Sequence, residues 1–159
     1  MRIKILCVGK IKEKYLKDAI EEYAKRLQRY CKLEIIEVAD EKTPDKAGYA
    51  LEEKIKEIEG ERLRKMIRED DYVISLAIDG KMSDSLEFAK SIEKLQVTGK
   101  SNICFVIGGS LGLEDSLIRN SHEKMSFSKM TFPHQLMRVI LLEQIYRSFR
   151  IIANEPYHK

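Results

Sequence analysis

Apolar and charged residues alternate through Arg2-Ile3-Lys4-Ile5-Leu6-Cys7-Val8, a period that predicts a strand. The period then lengthens: Tyr15, Leu16, Ala19, Ile20, Tyr23, Ala24, Leu27 and Tyr30 recur at helical spacing and predict an amphipathic helix. Leu33 to Val38 reads as a second strand. Thr43-Pro44 then offers an N-cap with proline at the first helical position, so the charged stretch ending near Arg68 reads as a helix. The spacings Glu52 to Lys56 and Glu61 to Lys65 suit a solvated helix face, while Gly48 and Gly60 argue against one unbroken rod. Tyr72 to Ile78 predicts a third strand ending at Asp79-Gly80. Ser83 or Asp84 can cap the helix that follows to about Leu95, with Asp84 and Glu87 at capping-box spacing. A fourth strand over Asn102 to Ile107, a short helix from Leu113 to about Asn120, a strand near Lys124 to Phe127 and a long helix from Pro133 to about Arg150 complete the pattern. Strands that alternate with helices predict an α/β fold with a mainly parallel sheet and helices on both faces.

The final helix departs from the others. Leu136, Met137, Val139, Ile140, Leu141, Leu142, Ile145, Tyr146 and Phe149 leave it little polar face, which demands burial on more than one side. Its own sheet covers one side; a second subunit in a two-fold dimer, or a central position in the core, would cover the other.

Composition narrows the class. With 159 residues, 35% charged and 43% hydrophobic, the chain reads as one globular domain spanning residues 1–159. No apolar run approaches the roughly 18 residues of a membrane span. The short apolar start runs into Lys10-Ile11-Lys12-Glu13 and reads as a strand rather than an export signal. Cys7, Cys31 and Cys104 are odd in number and widely spaced, which fits thiols in a reducing, cytoplasmic compartment. His122, His134 and His158 lie too far apart for a local metal site, so no metal is expected. The net charge of +3 decides nothing alone. From Lys124 to Lys159, however, Lys124, Lys129, Arg138, Arg147, Arg150 and Lys159 face only Glu143 and Glu155, and that excess suits either a polyanion or a solvated surface.

The candidate chemistry lies in two loops. The fourth strand runs into Gly108-Gly109-Ser110-Leu111-Gly112, where a missing Cβ lets a ligand approach main-chain groups at the carboxyl edge of the sheet. A dinucleotide site would put its glycines after the first strand, where only Val8-Gly9-Lys10-Ile11-Lys12 stands. A P-loop would place Lys where Leu113-Glu114 follows. A small ligand held by backbone groups and a plain strand-to-helix turn both remain open for the glycine loop by itself. The second loop, Phe127-Ser128-Lys129-Met130-Thr131-Phe132 before Pro133, mixes hydroxyl and apolar groups and can wrap an adenosine-sized ligand.

The order Ile107 to Gly112, then Ser128-Lys129-Met130-Thr131-Phe132-Pro133-His134, then Asn154-Glu155-Pro156-Tyr157-His158 resembles the RlmH family of SPOUT methyltransferases. The likeness covers the whole chain and includes Val8-Gly9-Lys10 and Leu76-Ala77-Ile78-Asp79-Gly80. It implies S-adenosylmethionine as methyl donor, N3 of a pseudouridine in large-subunit (23S) ribosomal RNA as acceptor, a homodimer, and a C-terminal segment threaded as a trefoil knot, a rare exception to unthreaded chains. It also implies donor contacts at Leu76, Gly108, Phe127, Ser128, Lys129, Met130, Thr131 and Phe132.

For the transfer itself, a neutral base would help an imide-type N–H lose its proton, and His134 is the first candidate, with a helix cap as its competing role. Arg138 could meet RNA phosphate or base, or an internal carboxylate. Tyr157 and His158, in a tail that would otherwise be dispensable, are expected to close over the target nucleotide in the same or the neighbouring subunit. The modest charge suggests the assembled ribosome as substrate rather than naked RNA. Two rivals stand beside this reading: a methyltransferase of another RNA such as tRNA, and a non-catalytic RNA-binding module.

Overall fold

The computed structural model describes residues 1–159, and its elements run β1 (Arg2–Val8), α1 (Lys14–Leu27), β2 (Lys32–Val38), α2 (Tyr49–Arg64), β3 (Tyr72–Lys81), α3 (Ser85–Val97), β4 (Asn102–Ile107), α4 (Asp115–Arg119), β5 (Glu123–Met125) and α5 (His134–Ile152). All strand pairings are parallel, in the order β2-β1-β4-β3-β5. Because side chains alternate across a strand, Ile3, Ile5, Cys7, Ile103, Phe105 and Ile107 face one side with α1, α3 and α5. Leu6, Val8, Cys104 and Val106 face the other with α2 and α4. The expected α/β fold with helices on both faces is therefore the one observed.

Two local expectations shift and a third holds. The second helix starts at Gly48, not at Thr43-Pro44: residues 43–48 lie outside the helix, and Gly48 caps it without a side-chain bond. The capping box of α3 forms as expected, Asp84 accepting from the Glu87 N–H at 2.8 Å and Glu87 accepting from the Asp84 N–H at 3.0 Å. The third strand continues beyond Gly80 because both Leu76 and Lys81 align with Met125, so residues 77–80 bulge out of the ladder.

The last helix is covered on its sheet side within its own chain. It lies on the sheet with α1 and α3 packed beside it, and Leu141, Leu142 and Ile145 are fully buried. The all-round apolar pattern is met only in part within the chain, since Met137, Val139 and Ile140 are half-buried. Leu136, at the start of α5, stays exposed.

Lys4 and Asp71 form a buried ion pair at 2.6 Å between β1 and the turn before β3. Lys4 also donates to the Met66 carbonyl at 3.0 Å, and Asp71 accepts from the Arg68 N–H at 2.8 Å. The pair closes the α2–β3 connection. Replacing Lys4 with Met strands a buried carboxylate and should cost about 3–5 kcal/mol in urea unfolding, while adding Asp71→Leu should recover most of the loss. A Lys4→Met protein as stable as the parent would show that the pair contributes nothing.

Candidate active site

The glycine loop after β4 and the loop after β5 end side by side at the carboxyl edge of the sheet, and a cavity of about 790 Å³ opens between them. That volume suits a nucleoside-sized ligand. The β3 bulge supplies one wall, Leu76 to Asp79; Gly109 to Leu113 supply a second; Ser126 to Ser128, Met130 to His134 and Met137 supply a third, with Ile107, Ile118 and Met125 at the base.

Backbone geometry makes the cavity. A Cβ on Gly108 would lie 2.5 Å from the Gly112 carbonyl carbon and 2.7 Å from its oxygen, so only glycine lets the loop fold back on itself. Gly112 adopts φ +85° and its N–H donates to the Gly109 carbonyl at 3.0 Å. Gly80 meets the Met125 backbone just as closely, which fixes the bulge against β5. In the other loop Ser126 Oγ donates to the Ser128 carbonyl and the Met130 N–H donates to Ser128 Oγ, each at 3.0 Å. These bonds hold an irregular segment that neither a helix nor a strand would satisfy.

Helix α2 braces the glycine loop from below. The Glu59 carboxylate sits under Gly109 and accepts from the Glu41 N–H at 3.0 Å, and burial pushes its pKa up. One turn further along, Arg64 bonds Glu114 at 2.5 Å and Ser116 at 2.6 Å, anchoring the loop's exit. Neither brace is legible from spacing, because both partners lie some fifty residues apart in sequence.

The expected donor residues divide. Leu76, Phe127, Ser128, Met130, Thr131 and Phe132 line the cavity, whereas Lys129 points away into solvent and Gly108 shapes the loop from behind. Leu111, within the glycine loop already singled out, also lines it, as do Ala77, Ile78, Asp79 and Met137, for which no donor contact is expected from the sequence. The bulge that brings in Ala77, Ile78 and Asp79 has no signature beyond Asp79-Gly80.

His134 lines the cavity as the first residue of α5, and it is not a cap: Pro133 precedes the helix and no side chain caps it. Burial, reinforced by the Arg138 charge, lowers the His134 pKa, with Asp40 acting in the opposite sense. Its imidazole is therefore neutral at pH 7. Arg138, by contrast, turns inward. It is 2% exposed and bonds Glu37 at 2.7 Å and the Val8 and Gly9 carbonyls at 2.8 Å each. Of the two roles left open for Arg138, the structure shows the internal one: the guanidinium is enclosed by three internal acceptors. Arg138 instead ties the ends of β1 and β2 to the helix that carries His134.

Tyr157 and His158 dock on the far half of α5. The Tyr157 hydroxyl donates to Glu143 at 3.1 Å, its ring lies 5.0 Å from that of Tyr146, and Arg147 covers the ring at 4.7 Å. His158 Nδ1 is 3.2 Å from Arg147. Burial and the Glu143 carboxylate push the Tyr157 pKa up to about 12, so this phenol stays protonated and serves as a donor. Glu143 and Arg147, which hold the tail, were not singled out by sequence. At roughly 1.5 Å of rise per residue, Glu143 lies about 14 Å along the helix from His134 and Arg147 about 20 Å. Within one chain the tail and the cavity do not meet.

A family model described as "Predicted SPOUT methyltransferase" matches residues 1–158. Proteins named "Ribosomal RNA large subunit methyltransferase H" are similar over their full length: those of Clostridium acetobutylicum, Bifidobacterium adolescentis and Bacillus pumilus are 59%, 60% and 58% identical over 159 residues, with 100% of both chains covered in each case. Among solved structures, a probable methylase family protein from Haemophilus influenzae aligns with a TM-score of 0.55 at 17% identity, over 99% of this chain and 70% of that one. A probable methyltransferase from Bordetella pertussis aligns with a TM-score of 0.57 at 13% identity, over 92% and 93%. At such identities these two share the fold.

Proposed function

This chain belongs to the RlmH family of SPOUT methyltransferases, and from that premise we propose that it transfers the methyl group of S-adenosylmethionine to N3 of a pseudouridine in 23S ribosomal RNA. The observation that carries this reading is the cavity: two backbone-shaped loops enclose a nucleoside-sized space with a neutral, uncapped histidine at its wall. Relatives named as large-subunit ribosomal RNA methyltransferases supply the acceptor class. The donor contributes an electrophilic methyl on a sulfonium.

The chain's residues do the rest. Leu76, Met130 and Phe132 offer an apolar lining for an adenine, and the bare backbone of Gly109 to Gly112 lies open to polar groups of the ligand. Such positioning supplies most of the acceleration for an in-line displacement, because it replaces the entropy lost in a chance encounter. His134 then accepts the imide proton as the acceptor nitrogen attacks.

Two features favour a homodimer as the working form. Tyr157 and His158 lie too far from their own cavity to act there, so a partner's tail must complete it. Met130 is 74% exposed beside the cavity mouth, with Phe132 and Leu136 each at 37%, an apolar rim suited to a second copy. The same reading includes the C-terminal trefoil knot, a cytoplasmic location with the ribosomes, and the assembled ribosome as substrate. With 29 basic against 26 acidic side chains the surface is only mildly cationic, which favours a substrate whose shape adds contacts beyond phosphate pairing.

Tritiated donor with intact ribosomes, separated subunits and protein-free 23S RNA tests the proposal, with nuclease digestion and mass mapping of the product. Label on a pseudouridine of 23S RNA, strongest from ribosomes, is expected; label confined to tRNA, or none despite donor binding, would overturn it. The pH profile tests His134. Since its pKa is lowered, kcat/KM should climb through a midpoint below about 6.5 and then level off. His134→Ala should remove that limb and lower kcat roughly 10²- to 10⁴-fold; an unchanged limb would assign the base elsewhere.

A further inference from the structure

The segment that ends the chain is tied down by contacts unrelated to the cavity. Helix α5 closes at Ala153, and Asn154 takes the left-handed conformation, φ +54°, which only a few non-glycine residues tolerate and which turns the chain back over the helix. The Glu155 carboxylate then lands between α5 and the turn that follows α1. The Tyr30 hydroxyl donates to its Oε2 at 2.6 Å, Arg150 bonds the same oxygen, and Arg29 stands 3.3 Å from Oε1. Arg150 also donates to the Pro156 carbonyl at 2.9 Å.

The base of this arrangement is rigid. The Tyr30 ring stacks on Phe149, with 5.7 Å between centroids and 10° between planes, and Phe149 is buried in the main core. The reach of Arg150 has a cost as well. Its Nε is buried with no hydrogen-bond partner, whereas an arginine left in solvent would keep every donor hydrated. Both Nη atoms are committed to Tyr30, Glu155 and Pro156.

We propose that Tyr30, Arg150 and Glu155 form a latch that fixes the tail in the orientation from which Tyr157 and His158 reach the partner subunit's cavity. They are positioning residues, not catalytic ones, and the inference rests on the methyltransferase reading above. A free six-residue tail would sample many directions, and holding its terminal pair in one removes that loss before the substrate arrives. The hydrogen bond from Tyr30, with the charges of Arg150 and Arg29, holds the Glu155 carboxyl below the usual carboxylate range, so the latch stays closed throughout neutral pH.

Tyr30→Phe keeps the stacked ring and removes two bonds, to Glu155 and from Arg150; Glu155→Gln keeps an acceptor and removes the charge; Glu155→Ala removes both acceptor and charge. For each variant, kcat and KM on ribosomes, the donor Kd by calorimetry, the thermal midpoint and amide exchange over residues 154–158 are measured. Exchange at Asn154 and Glu155, whose N–H groups donate to the Ile151 and Arg150 carbonyls, should quicken and kcat should fall roughly ten- to a hundredfold in Glu155→Ala, and less in the other two, with donor Kd and thermal midpoint unchanged. Faster exchange with undiminished kcat, or slow exchange in all three, would overturn the latch. If the parent protein itself proves inert toward every RNA, the methyltransferase reading fails instead, and exchange still decides whether the latch holds the tail.

Discussion

Deleting residues 154–159 will abolish methyl transfer, by roughly 10³-fold or more, and leave the donor affinity intact. The two halves of this expectation come from separate parts of the molecule. The cavity proposed for the donor is lined by residues between Leu76 and Met137, none in the tail, while Tyr157 and His158 dock about 14–20 Å away along α5. Losing the Tyr157 ring exposes part of Tyr146 and should cost about 1–2 kcal/mol, a few degrees of thermal midpoint, so the truncated protein stays folded. Mixing it with His134→Ala subunits then separates two arrangements. If the tail acts in the partner's cavity, a mixed dimer contains one site with an intact His134 and an intact tail, and activity returns. If it acts in its own, both sites of the mixed dimer are incomplete. Full activity in the truncated protein alone would remove the tail from the reaction.

How far the sequence carried this picture depends on the range of the interactions involved. The strands of β1 and β4 and the capping box of α3 were legible because they are written in local periodicity and spacing. The start of α2 was misplaced because Thr43-Pro44 satisfies the local rule for a helix start, yet the connection from β2 must first cross to the other face of the sheet, with Glu41 tied to Glu59 and Arg62 on the way. Arg138 was legible as an arginine in apolar surroundings that needs a partner. Its partner, Glu37, is 101 residues away, and no local rule chooses between an internal carboxylate and an RNA phosphate. The two loops that line the cavity are legible by glycine content and by resemblance. The β3 bulge, the α2 braces and the Tyr30–Glu155 contact are tertiary, and only the fold brings them together.

Gly108→Ala is expected to reduce donor affinity by at least about a hundredfold, near 2.7 kcal/mol. The new methyl would lie 2.5 Å from the carbonyl carbon of Gly112, 2.7 Å from its oxygen and 2.8 Å from the Leu113 nitrogen. All three are backbone atoms in a loop anchored by Arg64 through Glu114 and seated on Glu59 through Gly109, so the clash cannot be relieved by rotating a side chain. The loop must open, and the wall from Gly109 to Leu113 moves with it. Gly112→Ala tests a different constraint in the same loop. No atom stands within 4 Å of a Cβ there, but φ is +85°, so the penalty is conformational, about 1–2 kcal/mol, and Gly112→Asn should recover part of it. Calorimetric titration of the three variants with S-adenosylmethionine therefore ranks steric closure against backbone strain. Equal affinity in Gly108→Ala and the parent would mean that the donor does not depend on this loop, and the cavity would lose its claim to be the methyl-donor site.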